Sequence, residues 1–236
     1  MDHDNANDNP ATRLLRLLES EGHGTWGFVI YRCVYSPESN HTWTRLLAAL
    51  ESYTRESLQR YSQDGTVALS KFTLTTIEDS TLLDGATANV VRDHFKSWSR
   101  DAIAREQPNK VGGGVRDPEQ ENGDAEENLP THSPRYRFCI RAGEEVLDSF
   151  QEGEDEEDRI VDLIQRDWVP DEPHIDRRTG RVYDDKVEPA IEGCDRRDVG
   201  WMRVSARSVM VDMYDELRGY NDWSLWYKRP YEVVFC

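Results

Sequence analysis

Thr25-Trp26-Gly27-Phe28-Val29-Ile30-Tyr31-Arg32-Cys33-Val34-Tyr35 decides the fold. Trp26, Phe28, Val29, Ile30 and Tyr31 make it nearly continuous in apolar side chains, the pattern of a buried strand. Ser36-Pro37-Glu38-Ser39 follows at once, with polar caps and an early acid, which is how a helix starts. Trp43, Leu46, Leu47, Leu50, Tyr53 and Leu58 then recur at helical spacing to about Tyr61, and Gln63-Asp64-Gly65 ends the run. A buried strand leading straight into an amphipathic helix is the unit of a layered domain, and the rest of the chain alternates in the same way.

Working outward, residues 1–12 are polar and acidic and read as a disordered N-terminus to a single domain over 13–236. A short basic helix spans about Thr12 to Ser20, broken by Gly22-His23-Gly24. Downstream, Val67–Leu74 reads as a second strand. Ala86–Arg105 reads as a helix whose inner face uses Ala88, Val91, Phe95, Trp98 and Ile103. On that helix Arg92, Lys96 and Arg100 fall at i, i+4 and i+8. They form either a phosphate-contacting stripe or an ordinary solvated face. Residues 106–134 lose apolar periodicity and read as a disordered acidic insertion. Its three glycines have no Lys-Ser or Lys-Thr after them, so they make no phosphate loop.

Arg135–Arg141 alternates, with Tyr136, Phe138 and Ile140 on one side, and reads as a strand; Glu144–Phe150 reads as a helix. Glu152–Asp158 reads as the solvated first turn of another helix, with Ile160, Val161, Leu163 and Ile164 on its apolar face. Residues 170–182 are loop-like, and Pro189–Gly193 suits a helical turn. Gly200–Val204 is a strand, Ser205 starts a helix, and Tyr231–Phe235 closes the chain as a final strand. The expected fold is α+β or α/β, with a mixed sheet of about five strands and packed helices.

Composition narrows the function. The net charge of −17 repels a bare nucleic-acid backbone unless a local basic patch overcomes it. No run of about 20 apolar residues exists to span a membrane, and the first residues lack a signal-peptide core. Four cysteines, widely spaced, fit reduced thiols and a cytoplasmic protein.

Tyr183-Asp184-Asp185-Lys186-Val187-Glu188-Pro189 sets three carboxylates within five residues. Asp184 and Glu188, four apart, share a side whether the backbone is helical or extended, and Pro189 favours the extended form at Glu188. Such a cluster can hold a divalent metal, grip a guanidinium or ammonium, or do acid–base work; it can also be a plain acidic loop. Farther on, Tyr220, Trp223, Trp226, Tyr227 and Tyr231 form an aromatic-dense tail. Trp223 suits the core, while Trp226 could equally stack on a base or a substrate side chain.

Asp184-Asp185-x-x-Glu188 resembles the DDxxE motif of the fungal arginine-containing cyclodipeptide synthases. Gly27-Phe28-Val29-Ile30-Tyr31-Arg32, with Tyr35 and Trp43, is similar to the opening of a large group of related fungal proteins. The resemblance implies a small enzyme that condenses arginyl-tRNA with a second aminoacyl-tRNA into a cyclo(Arg-Xaa) diketopiperazine in natural-product biosynthesis. It implies Asp184, Asp185 and Glu188 as catalytic, with Asp184 and Glu188 clamping substrate beside Trp226, and Arg92, Lys96 and Arg100 on the tRNA. No cofactor, metal, membrane or protein partner is expected. Asp-Asp-x-x-Glu also resembles the magnesium motif of terpene synthases, which makes a metal-dependent enzyme the second expectation. A non-catalytic acidic interaction protein is the third.

Overall fold

The computed structural model describes residues 8–106, 131–170, 174–175, 178, 182–183, 188–219 and 222–236. Its elements run α1 (Pro10–Glu21), β1 (Val29–Arg32), α2 (Ser39–Gln59), α3 (Ser62–Ser70), β2 (Thr75–Ile77), α4 (Ser80–Leu83) and α5 (Ala88–Glu106). Then come α6 (Pro134–Arg137), β3 (Phe138–Ala142), α7 (Glu144–Asp148), β4 (Ile160–Gln165), β5 (His174–Ile175), β6 (Val182–Tyr183) and β7 (Trp201–Ser205). A π-helical turn (Val209–Met213), α8 (Tyr214–Glu216), α9 (Asp222–Trp226) and β8 (Val233–Val234) complete the chain. The mixed α/β architecture expected from the sequence is present. No described helix is long and apolar enough to cross a membrane.

Six strands form one sheet in the order β2-β1-β3-β4-β7-β8. β1 is parallel to β2 and β3, and β7 to β8, while β4 runs antiparallel to β3 and β7. From β1 the chain goes to one side for β2 and to the other for β3. The order therefore reverses between β1 and β3, and in open sheets a crevice opens at the carboxyl ends beside such a reversal.

The sheet is buried on both faces. Phe28, Ile30, Phe138, Ile140, Leu163, Met202 and Val204 face the larger core with α1, α2, the π turn and Tyr214. Val29, Tyr31, Cys139, Ile164 and Trp201 face a smaller core under α5, with Phe95, Val91 and Leu83. Double burial explains why β1 shows no polar alternation. Burial stabilises each large apolar side chain by about 1.5–3 kcal/mol.

Several expectations change, and the strand expected over Arg135–Arg141 begins only at Phe138, after α6. Val67–Leu74 is not a strand: α3 occupies Ser62–Ser70, and the sheet strand is the later Thr75–Ile77. Val67-Ala68-Leu69 is too short an apolar run for its period to separate helix from strand. The segment carrying Ile160, Val161, Leu163 and Ile164 is a strand, not a helix. Between two partners it is covered on both faces, which erases the alternation that marks a strand at an open surface. At the insertion's far end Thr131 and Ser133 are buried, and the Ser133 hydroxyl lies 3.2 Å from that of Tyr214. Residues 107–130 lie outside the described residues. At the N-terminus α1 begins at Pro10, capped by the Asn9 side chain on Thr12 N–H at 3.0 Å; residues 1–7 lie outside the described residues.

Candidate functional site

A cavity of about 450 Å³ opens at the carboxyl ends of β1 and β3, where the strand order reverses. Its walls come from the loop after β1 (Cys33, Val34), the start of α7 (Gly143–Glu145) and the approach to α5 (Asp84–Thr87). A turn bearing Ile191 and Glu192 adds a further wall, and Tyr231 stands at the edge. The size suits a small-molecule site.

The floor is a row of charges set by strand register. Arg141 on β3 pairs with Asp162 on β4, and Asp162 pairs with Arg203 on β7. Side chains paired across strands share a face, so all three line up under the cavity. Arg141 Nη2 donates to Asp162 Oδ2 at 3.0 Å, and Arg203 Nε donates to Asp162 Oδ1 at 3.3 Å. Arg141 also bonds Glu192, and Arg203 bonds Glu145. The Arg141 guanidinium lies 4.8 Å over the Trp201 ring, and that of Arg203 lies 4.9 Å over the Tyr231 ring. Burial pushes the Asp162 carboxyl up, and the two guanidinium groups work against that shift. For Arg141, burial pulls the pKa down, but Asp162 and Glu192 outweigh it and hold the charge on. Burial pushes the Cys33 thiol up to about 12, against the pull of Arg141, so this cysteine is a neutral wall.

The rim is acidic. Asp84, Glu144, Glu145 and Glu192 are exposed there. With Asp162, the lining holds five carboxylates against two guanidinium groups. Both guanidinium groups are already engaged by carboxylates, so an entering cation meets an excess of negative oxygen.

Glu192 sits at the tip of a two-residue turn. Ile191 and Cys194 exchange backbone hydrogen bonds at 2.9 Å each, with Glu192 at φ +48° and Gly193 at φ +83°. Two consecutive positive φ values define the tight hairpin turn that favours glycine. The Pro189–Gly193 segment is thus a hairpin tip, not a helical turn. The Glu192 carboxylate also accepts from Ala88 N–H at 2.8 Å, tying the turn to the first residue of α5.

Of the residues singled out in the sequence, Asp184 and Asp185 lie outside the described residues. Glu188 is half-buried, and its N–H bonds Asp195 O at 3.1 Å at the open end of the hairpin whose tip reaches the cavity. Trp226 packs against the larger core on the opposite face and donates to Glu216 at 3.2 Å, so it takes no part in the cavity. Trp223 is in that core, stacked on Phe138.

The basic stripe divides. Arg92 is buried: Nε and Nη2 donate to Gln165 O and Gly200 O at 2.9 Å each, and its guanidinium lies 4.6 Å over the Trp168 ring. It cannot meet a phosphate, because its donors hold α5 to the sheet. Gly200, at φ +73°, makes room: a Cβ there would stand 2.3 Å from the Trp168 ring. Lys96 and Arg100 remain on the outer side of α5, half-buried and exposed.

The sequence reading missed Arg141, Asp162, Glu192, Arg203, Glu145 and Trp201. A signal existed for one: Asp162 is a lone acid within Ile160-Val161-Asp162-Leu163-Ile164, and a charge inside an apolar strand needs a partner. Among the described residues, no three His, Cys, Asp or Glu side chains come together to hold a metal ion. No family model, curated protein or solved structure matches this chain.

Proposed function

We propose that the protein is an aminoacyl-tRNA-dependent synthase that joins arginine to a second amino acid as a cyclic dipeptide, with the cavity as its arginine site. The observation that carries this reading is the acidic rim over a floor whose two guanidinium groups are already paired with carboxylates, at the strand-order reversal. Such a rim holds a guanidinium or an α-ammonium, and planar forked donors match carboxylates well.

The chemistry needs no activation step. A carboxylate takes a proton from the α-ammonium of one aminoacyl-tRNA, and the freed amine attacks the ester carbonyl of the other. An N–C bond forms, the C–O bond to the tRNA ribose breaks, and the ribose oxygen leaves with a proton. The second amine then attacks the remaining ester, closes the six-membered ring and releases the second tRNA. Glu188, with Asp184 and Asp185, belongs to the segment that leads into the Glu192 hairpin, which puts further carboxylates next in the chain to the rim. Lys96 and Arg100 sit on a helix whose preceding segment, Asp84–Thr87, lines the cavity. Ala88 to Arg100 is twelve residues, or about 18 Å of helix, a path along which an RNA end can be guided.

The test is mass spectrometry of small molecules made on expression in a plain host. A cyclic Arg-Xaa dipeptide is expected from the wild type, with at least a tenfold loss in Asp185→Asn and Glu188→Gln (roughly one charge-assisted hydrogen bond). Absence of any diketopiperazine from the folded wild type contradicts the reading. Wild-type yields from both variants would remove the DDxxE carboxylates from it.

A further inference from the structure

Trp201 is a deeply buried indole whose N–H has no acceptor among the described residues. Trp26 and Trp223 are as deeply buried, and their indoles donate to Ala68 O at 2.7 Å and to Asp198 Oδ2 at 2.9 Å. An unmatched buried donor costs about 1–3 kcal/mol, and native structures keep few of them, so each calls for a reason. A second orphan sits beside it. Arg141 uses both terminal nitrogens on Glu192 and Asp162, and its Nε–H is buried with no acceptor among the described residues. The two orphans belong to stacked side chains, and both side chains line the cavity. Two donors without an acceptor, beneath a rim with spare negative charge, describe a ligand with a cation at one point and an acceptor oxygen at another.

We propose that the Trp201 indole N–H and the Arg141 Nε–H receive the carbonyl oxygen of an aminoacyl ester whose ammonium or guanidinium is held at the acidic rim. This rests on the synthase reading given above and names the groups that polarise the reacting carbonyl. During aminolysis that oxygen gains negative charge as nitrogen adds to the carbon. It returns the charge when the ribose oxygen departs, so donors fixed in advance act most strongly at the intermediate. Arg141 is already charged and Trp201 is a neutral donor, so neither loses a proton during the reaction.

The experiment compares two probes by calorimetry: L-arginine methyl ester, and agmatine, which keeps the ammonium and guanidinium but has no carbonyl. The wild type is expected to bind the ester about tenfold more tightly than agmatine, the worth of one to two hydrogen bonds. Trp201→Phe, which keeps an aromatic ring under Arg141, is expected to weaken the ester severalfold and leave agmatine unchanged. Should that variant misfold, the wild type decides by itself. With ¹⁵N-labelled tryptophan, one of the seven indole N–H signals moves downfield with the ester and stays in place with agmatine. Equal affinities for the two probes, with no indole signal distinguishing them, overturn the donor pair and leave the cation site standing. Failure of both probes to bind at millimolar concentration overturns both the donor pair and the arginine site.

Discussion

The two faces of the sheet are built on opposite principles. Toward α1, α2 and the π turn, the strands present Phe28, Ile30, Phe138, Ile140, Leu163 and Val204, apolar throughout. Toward α5, the same strands begin apolar with Val29, Cys139, Ile164 and Trp201, then turn ionic at the carboxyl end of β3 with Arg141, Asp162 and Arg203. Apolar packing is the cheaper way to stabilise a fold, since burying ions costs several kcal/mol per charge before pairing offsets it. A charged row in the wall of a cavity therefore points to use rather than to stability. One face keeps the molecule folded, and the other gives it a place to hold charge.

The charged face is most sensitive at Asp162. Asp162→Ala leaves two buried guanidinium groups without their shared carboxylate, and a loss of about 3–5 kcal/mol is expected by urea denaturation. The triple change Arg141→Met, Asp162→Leu, Arg203→Met sharpens the point. It should be close to neutral in stability yet bring the affinity for L-arginine methyl ester down to that for agmatine. A triple variant that is unstable and still prefers the ester would reverse the roles assigned to the two faces.

The apolar face answers differently. Leu46→Ala on α2 should cost about 2–5 kcal/mol and leave ligand affinity of the folded protein unchanged, measured by calorimetry below the melting transition. A change in affinity would show that the faces are coupled.

A third prediction concerns an ion pair at the far end of α5. Arg135 Nε and Nη2 each bond Glu106 at 3.0 Å, and the Tyr136 hydroxyl donates to it at 2.6 Å. Burial works to raise the Glu106 carboxyl, but Arg135 and Tyr136 outweigh it and hold it below its ordinary 4.5. A depressed carboxyl contributes stability above its unfolded pKa and loses it as pH falls through the folded value. Glu106→Gln should thus cost about 1–3 kcal/mol at neutral pH. Its deficit should shrink below pH 4.5 in melts recorded across the acid range. A deficit that is constant with pH contradicts the ion pair's role.

The smallest effect is at the surface. Lys96→Ala and Arg100→Ala should change stability by less than about 0.5 kcal/mol. Each should lower the salt slope of tRNA binding by about one. Arg92→Ala should instead reduce stability, because its donors hold Gln165 O and Gly200 O.

What the sequence makes legible follows from these differences. α2 and α5 are readable because each keeps a helical period with clear end signals, and β1 and β7 because each is a short apolar run bounded by glycine and serine. β4 reads as a helix because burial on both faces hides its alternation. α3 reads as a strand because Val67-Ala68-Leu69 is too short to carry a period. Arg92 looks like one step of a basic stripe, since spacing places it on a helix but does not tell which side meets the sheet. The charged row is least legible: Arg141, Asp162 and Arg203 are distant in sequence and meet only through strand register. The Glu188 segment is visible as an acidic cluster, but among the described residues of that stretch the carboxylate that reaches the cavity is Glu192, farther along.

The most direct test is the reaction of purified protein with arginyl-tRNA and a mixture of aminoacyl-tRNAs, read by mass spectrometry, for the wild type and Glu145→Gln. Glu145 is an exposed rim carboxylate, and Arg203 keeps Asp162 when its bond to Glu145 is lost, so the variant should lose no more than about 1 kcal/mol of stability. The account predicts a cyclic arginine dipeptide from the wild type and about tenfold less from the variant. No such product from the wild type, or equal product from both, contradicts it.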